Sequence, residues 1–138
     1  MNHLDLQQLA LQRSQDARVL LAADCSWGAY YLAGYAVECA LKACIAKAIP
    51  AHQFPDPAFA RAVYIHNLEQ LMQLADLKGA LDTEMKANTS LRRNWAVVKD
   101  WEETSRYDVT CDKTKALDLY QAINEGPDGI LAWIERRW

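Results

Sequence analysis

The chain has 138 residues, of which 51% are hydrophobic and 24% charged, a composition typical of one globular domain with one hydrophobic core. Its formal net charge of -3 argues against a broad basic surface that binds duplex nucleic acid. The N-terminus lacks a basic segment followed by a continuous apolar run, and the uncharged run over 28–37 is shorter than the roughly 20 residues that span a bilayer. We therefore expect a cytoplasmic protein without membrane association.

Apolar residues recur at spacings of three and four, and no alternating strand pattern occurs. A first helix is predicted over 4–23. A second helix begins near Ser26, whose hydroxyl we expect to cap it, and ends before Pro50. Three of the four prolines fall within 50–67, which predicts a loop with a short turn at 57–63.

The second half of the chain continues the helical pattern. We predict a helix over 67–87, a helix over 88–103, a turn over 104–112, and a helix from Lys113 that is interrupted at 125–129. The first of these is broken or weakened near Gly79 and would be capped by Asn67 or His66, and Ser90 opens the next. The sequence thus predicts an all-α, antiparallel, up-and-down bundle of four to six helices, forming a single domain over 1–138.

The second predicted helix, "GAYYLAGYAVECALKACIAK" over 28–47, is apolar on nearly every side but contains Glu38. An unpaired buried carboxylate costs several kcal/mol. Three interpretations stay open: a partly exposed pair with Lys42, a buried bond to a distant arginine, or a functional carboxylate in a pocket. For the distant arginine, Arg106 in "SRYD" is the leading candidate, because a bidentate guanidinium satisfies a carboxylate best.

The four cysteines show neither a CxxC pair nor the spacing of zinc ligands. We predict that Cys25, Cys39, Cys44 and Cys111 are reduced core residues. No phosphate-binding or dinucleotide-binding glycine motif and no HExxH occurs, so we expect no cofactor and no metal site.

Three motifs in order, "YYLAGYAVECALKACIAK", "IHNLEQLMQLA" and "SRYD", resemble those of the HEPN superfamily of small helical domains. The matching positions are Ala36, Glu38, Leu41, Lys42, His66, Leu68, Leu71, Leu74, Arg106 and Tyr107, and the resemblance covers roughly residues 5–135. It implies a helical bundle that is often a homodimer. It also implies a role with nucleotide or RNA, frequently beside a minimal nucleotidyltransferase in a toxin–antitoxin-like system.

Active members of that superfamily cleave RNA without metal, using an arginine followed after four to six residues by a histidine. Only Arg61 and His66 meet this spacing, and they lie ahead of the helix where the motif belongs. The pair Arg93-Asn94 has the arginine-plus-polar start but no histidine at the required distance. The sequence therefore favours a non-catalytic protein, with an endoribonuclease toxin and a dimerisation scaffold as alternatives.

A ligand site is expected around the family positions of the second helix, the histidine and the arginine–tyrosine pair. Its predicted members are Tyr35, Glu38, Lys42, His66, Arg106 and Tyr107. In this hypothesis Arg106 and Lys42 hold phosphate, a tyrosine contacts the base or sugar, and Glu38 orients the arginine.

Two further features carry cationic or aromatic side chains. Arg92, Arg93 and Lys99 with Trp95 and Trp101 are a candidate stacking patch, although their helical spacing favours the core for both tryptophans. Trp138, at the end of the chain, is expected either to fold back or to be covered by a neighbouring subunit.

Overall fold

A computed structural model describes residues 1–138 and is all-helical. Its eight α-helices and one 3₁₀ helix are α1 His3–Ala22, α2 Ser26–Ala48, α3 Pro57–Ala62, α4 Leu68–Leu74, α5 Lys78–Ala87, α6 Thr89–Val98, the 3₁₀ helix Glu103–Tyr107, α7 Lys113–Asn124 and α8 Ile130–Glu135. The predicted all-α helical bundle is confirmed, with eight helices in place of four to six. None of the helices combines the length and the apolar character that a bilayer-spanning helix requires.

The long helix α2 is the central element. Fourteen of its 23 residues are buried, and it contacts α1, α4, α7, α8 and the 3₁₀ helix. Small residues keep the helix narrow, and Gly34 is the extreme case, since the ring of Trp101 occupies the space that a Cβ would fill. The apolar character of α2 therefore reflects neighbours on several sides.

Polar side chains begin several helices. Asn2 and Asp5 form a capping box on α1, while Asp56, Asn67, Asn88 and Asp112 each accept a hydrogen bond from a first-turn amide of the next helix. The predicted cap Asn67 is thus confirmed. Ser26 and Ser90 are not caps, because the boundary residues are Cys25, which makes no side-chain cap bond, and Asn88.

The predicted helix over 67–87 is two helices, and its break lies at 75–77, upstream of Gly79. Asp76 adopts a positive φ of 58°, and the Leu77 amide donates to the carbonyl of Met72. This is the Schellman geometry that ends helices, with aspartate in the position that glycine usually takes. Gly79 lies inside α5 with open space around it.

Two tryptophans of the candidate stacking patch lie in the core. Trp95 is 3% exposed and Trp101 1%, so neither offers a ring face to a base. Trp138 packs against the core, which means that the tail folds back. Three cysteines are buried and reduced, but Cys25 is exposed, so its predicted place in the core is wrong.

Candidate functional site

Glu38 is buried in the middle of α2, with 2% of its surface exposed. Its Oε1 accepts a hydrogen bond from Lys42 Nζ at 2.8 Å and lies 2.9 Å from His66 Nδ1. Its Oε2 is also buried and has no hydrogen-bond partner. A Glu–Lys pair within one exposed helix contributes only about 0.2–0.5 kcal/mol, so the second contact, from His66, matters for the burial of this carboxylate.

His66 lies just before α4 and contacts a second carboxylate with its other nitrogen. Its Nε2 is 3.0 Å from Oε2 of Glu103, the first residue of the 3₁₀ helix. Lys42, Glu38, His66 and Glu103 thus form a continuous chain of polar contacts 2.8–3.0 Å long, called here the Glu38 network. It connects α2, the start of α4 and the 3₁₀ helix.

The predicted bond between Glu38 and Arg106 is wrong. Arg106 is exposed, and no carboxylate lies within 4.0 Å of its guanidinium, which sits 4.8 Å from the centre of the Tyr107 ring. The distant side chain that reaches Glu38 is His66, because α4 packs on α2 and places the residue before its N-cap next to that carboxylate. Glu38 therefore does not orient Arg106.

Aromatic side chains extend from Arg106 along α2. The rings of Tyr31 and Tyr35 stack with centroids 6.0 Å apart and an angle of 11° between their planes, and Tyr31 also stacks on the buried Trp101. Tyr107 is 70% exposed. We call Tyr31, Tyr35, Arg106 and Tyr107 the tyrosine–arginine surface.

The electrostatics of the tyrosine–arginine surface favour a cationic arginine beside neutral rings. Proximity to Tyr107, with a smaller contribution from Tyr31, raises the pKa of Arg106. Burial raises the pKa of Tyr35 to about 12, and neighbouring Cys39 and Glu38 act in the same direction. At neutral pH Arg106 therefore carries a positive charge and the ring of Tyr35 is uncharged.

The candidate catalytic residues Arg61 and His66 are not arranged as a catalytic pair. Arg61 is exposed at the end of α3 and makes no ion pair or side-chain hydrogen bond. Both ring nitrogens of His66 face carboxylates, which leaves none directed at a substrate hydroxyl.

A separate open cleft of about 590 Å³ lies between α6 and α7 and is lined on one side by the loop over 125–128. Arg93 and Asn94 line it, together with Ser90, Val97, Asp118, Gln121, Ala122 and Glu125. Asp128, another lining residue, is held in place by Asn88 and Asn94. Three carboxylates against one arginine make this cleft a poor place for a polyanion.

The structure thus brings together the sequence-predicted residues in two groups: Glu38, Lys42 and His66 in the Glu38 network, and Tyr35, Arg106 and Tyr107 in the tyrosine–arginine surface. Sequence analysis missed Glu103, because "EE" at 102–103 has the pattern of a solvated helix face. No group of three or more His, Cys, Asp or Glu side chains is placed to hold a metal ion. Comparisons with protein-family models, curated proteins and solved structures found no match.

Proposed function

We propose that this protein binds nucleotide or single-stranded nucleic acid through the tyrosine–arginine surface. The observation that carries the proposal is Arg106, an exposed cation without a carboxylate partner, lying against the exposed ring of Tyr107. Arginine binds phosphate oxygens with two parallel hydrogen bonds, and tyrosine rings stack on bases. An arginine already paired with Glu38 would not be available for phosphate.

The geometry changes the role of Lys42. Its ammonium group bonds to the buried Glu38 carboxylate, and only 22% of its side chain is exposed. We therefore assign phosphate binding to Arg106 alone and assign Lys42 to neutralising Glu38. A single cationic contact fits a mononucleotide or a short single strand better than a duplex, in keeping with the net charge of -3.

The resemblance to HEPN domains extends the proposal to partners. On that ground we propose a homodimer that acts as the accessory subunit of a minimal nucleotidyltransferase in a toxin–antitoxin-like system. Light scattering of the purified chain gives the oligomeric state. Co-expression with a nucleotidyltransferase encoded next to it, followed by co-purification, tests the partner. A monomer that retains no such enzyme would count against this part of the proposal.

The experiment for the binding function is a titration of wild type, Arg106→Ala, Tyr107→Ala and Arg61→Ala with ATP and with a labelled single-stranded RNA. Loss of a charge-assisted hydrogen bond costs about 1.5–3 kcal/mol, so Arg106→Ala should weaken binding by roughly 10- to 100-fold. Tyr107→Ala should weaken it by about 1–3 kcal/mol through lost stacking. Arg61→Ala is the matched control, since Arg61 is an exposed arginine outside the surface. No binding by wild type, or equal losses in Arg61→Ala and Arg106→Ala, would refute the function.

A further inference from the structure

The segment that carries Arg106 and Tyr107 has little apolar contact of its own. Trp101 is buried before it and Cys111 is buried after it, but no residue over 102–110 is buried. The segment is formed around a 3₁₀ helix, whose hydrogen-bond geometry is poorer than that of an α-helix. Its position relative to α2 must therefore depend on a few polar contacts.

The Glu38 network supplies the contact that reaches the rigid core. His66 lies between Glu38 Oε1 at 2.9 Å and Glu103 Oε2 at 3.0 Å. Glu38 is fixed on a buried helix and is held from the other side by Lys42. A second contact of the segment, between Asp108 and Lys115, is longer, at 3.8 Å, and exposed.

We propose that His66 is a positioning residue: it fastens the 3₁₀ helix to α2 and so sets the place of Arg106 and Tyr107, a role that rests on the proposed function for its ligand. The imidazole makes both contacts at once: Nδ1 is hydrogen-bonded to Glu38 at 2.9 Å, and Nε2 lies 3.0 Å from the Glu103 carboxylate. A side chain with one donor group can satisfy only one of the two carboxylates.

The link from Glu103 to Arg106 is short. The two residues are one turn apart on a 3₁₀ helix, which has three residues per turn. Release of Glu103 from His66 therefore frees the same turn that presents Arg106. This connection also gives a role to Glu38 in the middle of an apolar helix, because Glu38 is the end of the connection that is fixed on α2.

The test compares His66→Gln and Glu103→Gln with Glu102→Gln, a matched control whose native carboxylate is adjacent and does not contact His66. Amide hydrogen exchange is followed without ligand at Ser105 and Asp108, whose amides donate within the 3₁₀ segment. We expect exchange at these two amides to be about tenfold faster than in wild type in both test variants. In the Glu102→Gln control the exchange rate should not change. The affinity for ATP and single-stranded RNA should fall about three- to tenfold in the same two variants.

The possible outcomes distinguish the His66 connection from the proposed nucleotide binding. Faster exchange confined to 103–108, with no nucleotide binding even by wild type, supports the His66 connection and refutes the binding function. Unchanged exchange at Ser105 and Asp108 in both variants overturns the connection whether or not wild type binds nucleotide. Faster exchange along the whole chain also overturns it, because that result marks a loss of global stability.

Discussion

Gly34 lies directly beneath the indole of Trp101, so closely that a Cβ at position 34 would overlap three ring atoms. Trp101 is almost completely buried, and its ring also stacks on Tyr31. The contact joins α2 to the residue that immediately precedes the 3₁₀ segment. The absence of a side chain at this one helical position thus determines how closely that segment approaches α2.

Gly34→Ala should therefore lower the free energy of unfolding, although alanine favours a helix interior by about 1 kcal/mol over glycine. Overpacking of a core costs about 1–3 kcal/mol, and the ring that a Cβ at position 34 would displace is only 1% exposed. Gly79→Ala on α5 is the control, because nothing lies within 4 Å of its Cβ position, and it should leave stability unchanged or raise it. Urea unfolding measures both variants. A Gly34→Ala protein as stable as wild type would contradict the close packing.

Replacement of Glu38 should lower the free energy of unfolding less than replacement of Lys42, its hydrogen-bond partner. Glu38→Leu leaves Lys42 and His66, whose side chains are 22% and 43% exposed and can turn towards water, so we expect a change within about 1 kcal/mol. Lys42→Met leaves the carboxylate buried with His66 as its one remaining hydrogen-bond partner. A wholly unpaired buried charge costs about 3–5 kcal/mol, and we expect about 2 kcal/mol for this partial loss.

Arg106→Ala is the control for that comparison. Arg106 is exposed and pairs with no carboxylate, so its removal should change the free energy of unfolding by less than about 0.5 kcal/mol. The melting temperatures of Glu38→Leu, Lys42→Met and Arg106→Ala give the order of their stabilities. A lower melting temperature for Arg106→Ala, or a larger loss for Glu38→Leu than for Lys42→Met, would contradict the assignment of Lys42 and His66 as the partners of Glu38.

Much of the fold could be predicted because helix periodicity and helix ends leave local signals. The predicted start at Lys113 and the interruption at 125–129 agree with α7 and the loop before α8. The break expected near Gly79 lies at Asp76 instead, and its position was not predictable because aspartate only tolerates the left-handed conformation that glycine favours. The helical spacing of apolar residues continues across this break, so periodicity alone does not reveal it.

The sequence predicted which residues form the candidate site better than it predicted which of them contact one another. The apolar surroundings of Glu38 implied that the carboxylate needs a cation, and this follows from the sequence alone. The packing of α4 and of the 3₁₀ segment on α2 decides whether His66 or Arg106 contacts Glu38. That packing has no local sequence signature. Glu103 was missed for the same reason, because its partner lies 37 positions away.

Glu84 on α5 holds the C-terminal helix in place. Its carboxylate accepts hydrogen bonds from the indole nitrogen of Trp133 and from the guanidinium of Arg137, which in turn stacks on the Trp133 ring. Glu84→Ala leaves the indole N–H of a buried tryptophan without its acceptor and should destabilise the protein by about 1–3 kcal/mol. Asp82→Asn on the same helix is the control: its pair with Lys78 is a surface pair worth about 0–1 kcal/mol. Equal effects in urea unfolding would argue against the role of Glu84.

One thiol should react quickly in the native protein. Cys25 is exposed, whereas burial raises the pKa of Cys39, Cys44 and Cys111 and so lowers their thiolate fraction. At about pH 8 a disulfide reagent should label one thiol per chain rapidly and the other three only after unfolding. Cys25→Ser should remove the rapid phase. Two or more rapid equivalents in wild type would show that a buried cysteine is accessible.

Stability should fall at alkaline pH because of Cys39 and Tyr35 on α2. Burial raises the pKa of Cys39 from 9.0 to about 11 and that of Tyr35 from 10.0 to about 12, so the fold favours the protonated form of both groups. For each group the stabilisation is complete below the pKa of the unfolded chain and is lost as pH rises to the higher folded value. The loss should therefore begin near pH 9 and continue to about pH 12. Cys39→Ala should reduce the fall in urea midpoint between pH 9 and about pH 11, and Cys25→Ala, at an exposed site, should not. The same alkaline slope in Cys39→Ala and wild type would show that Cys39 does not contribute to the loss.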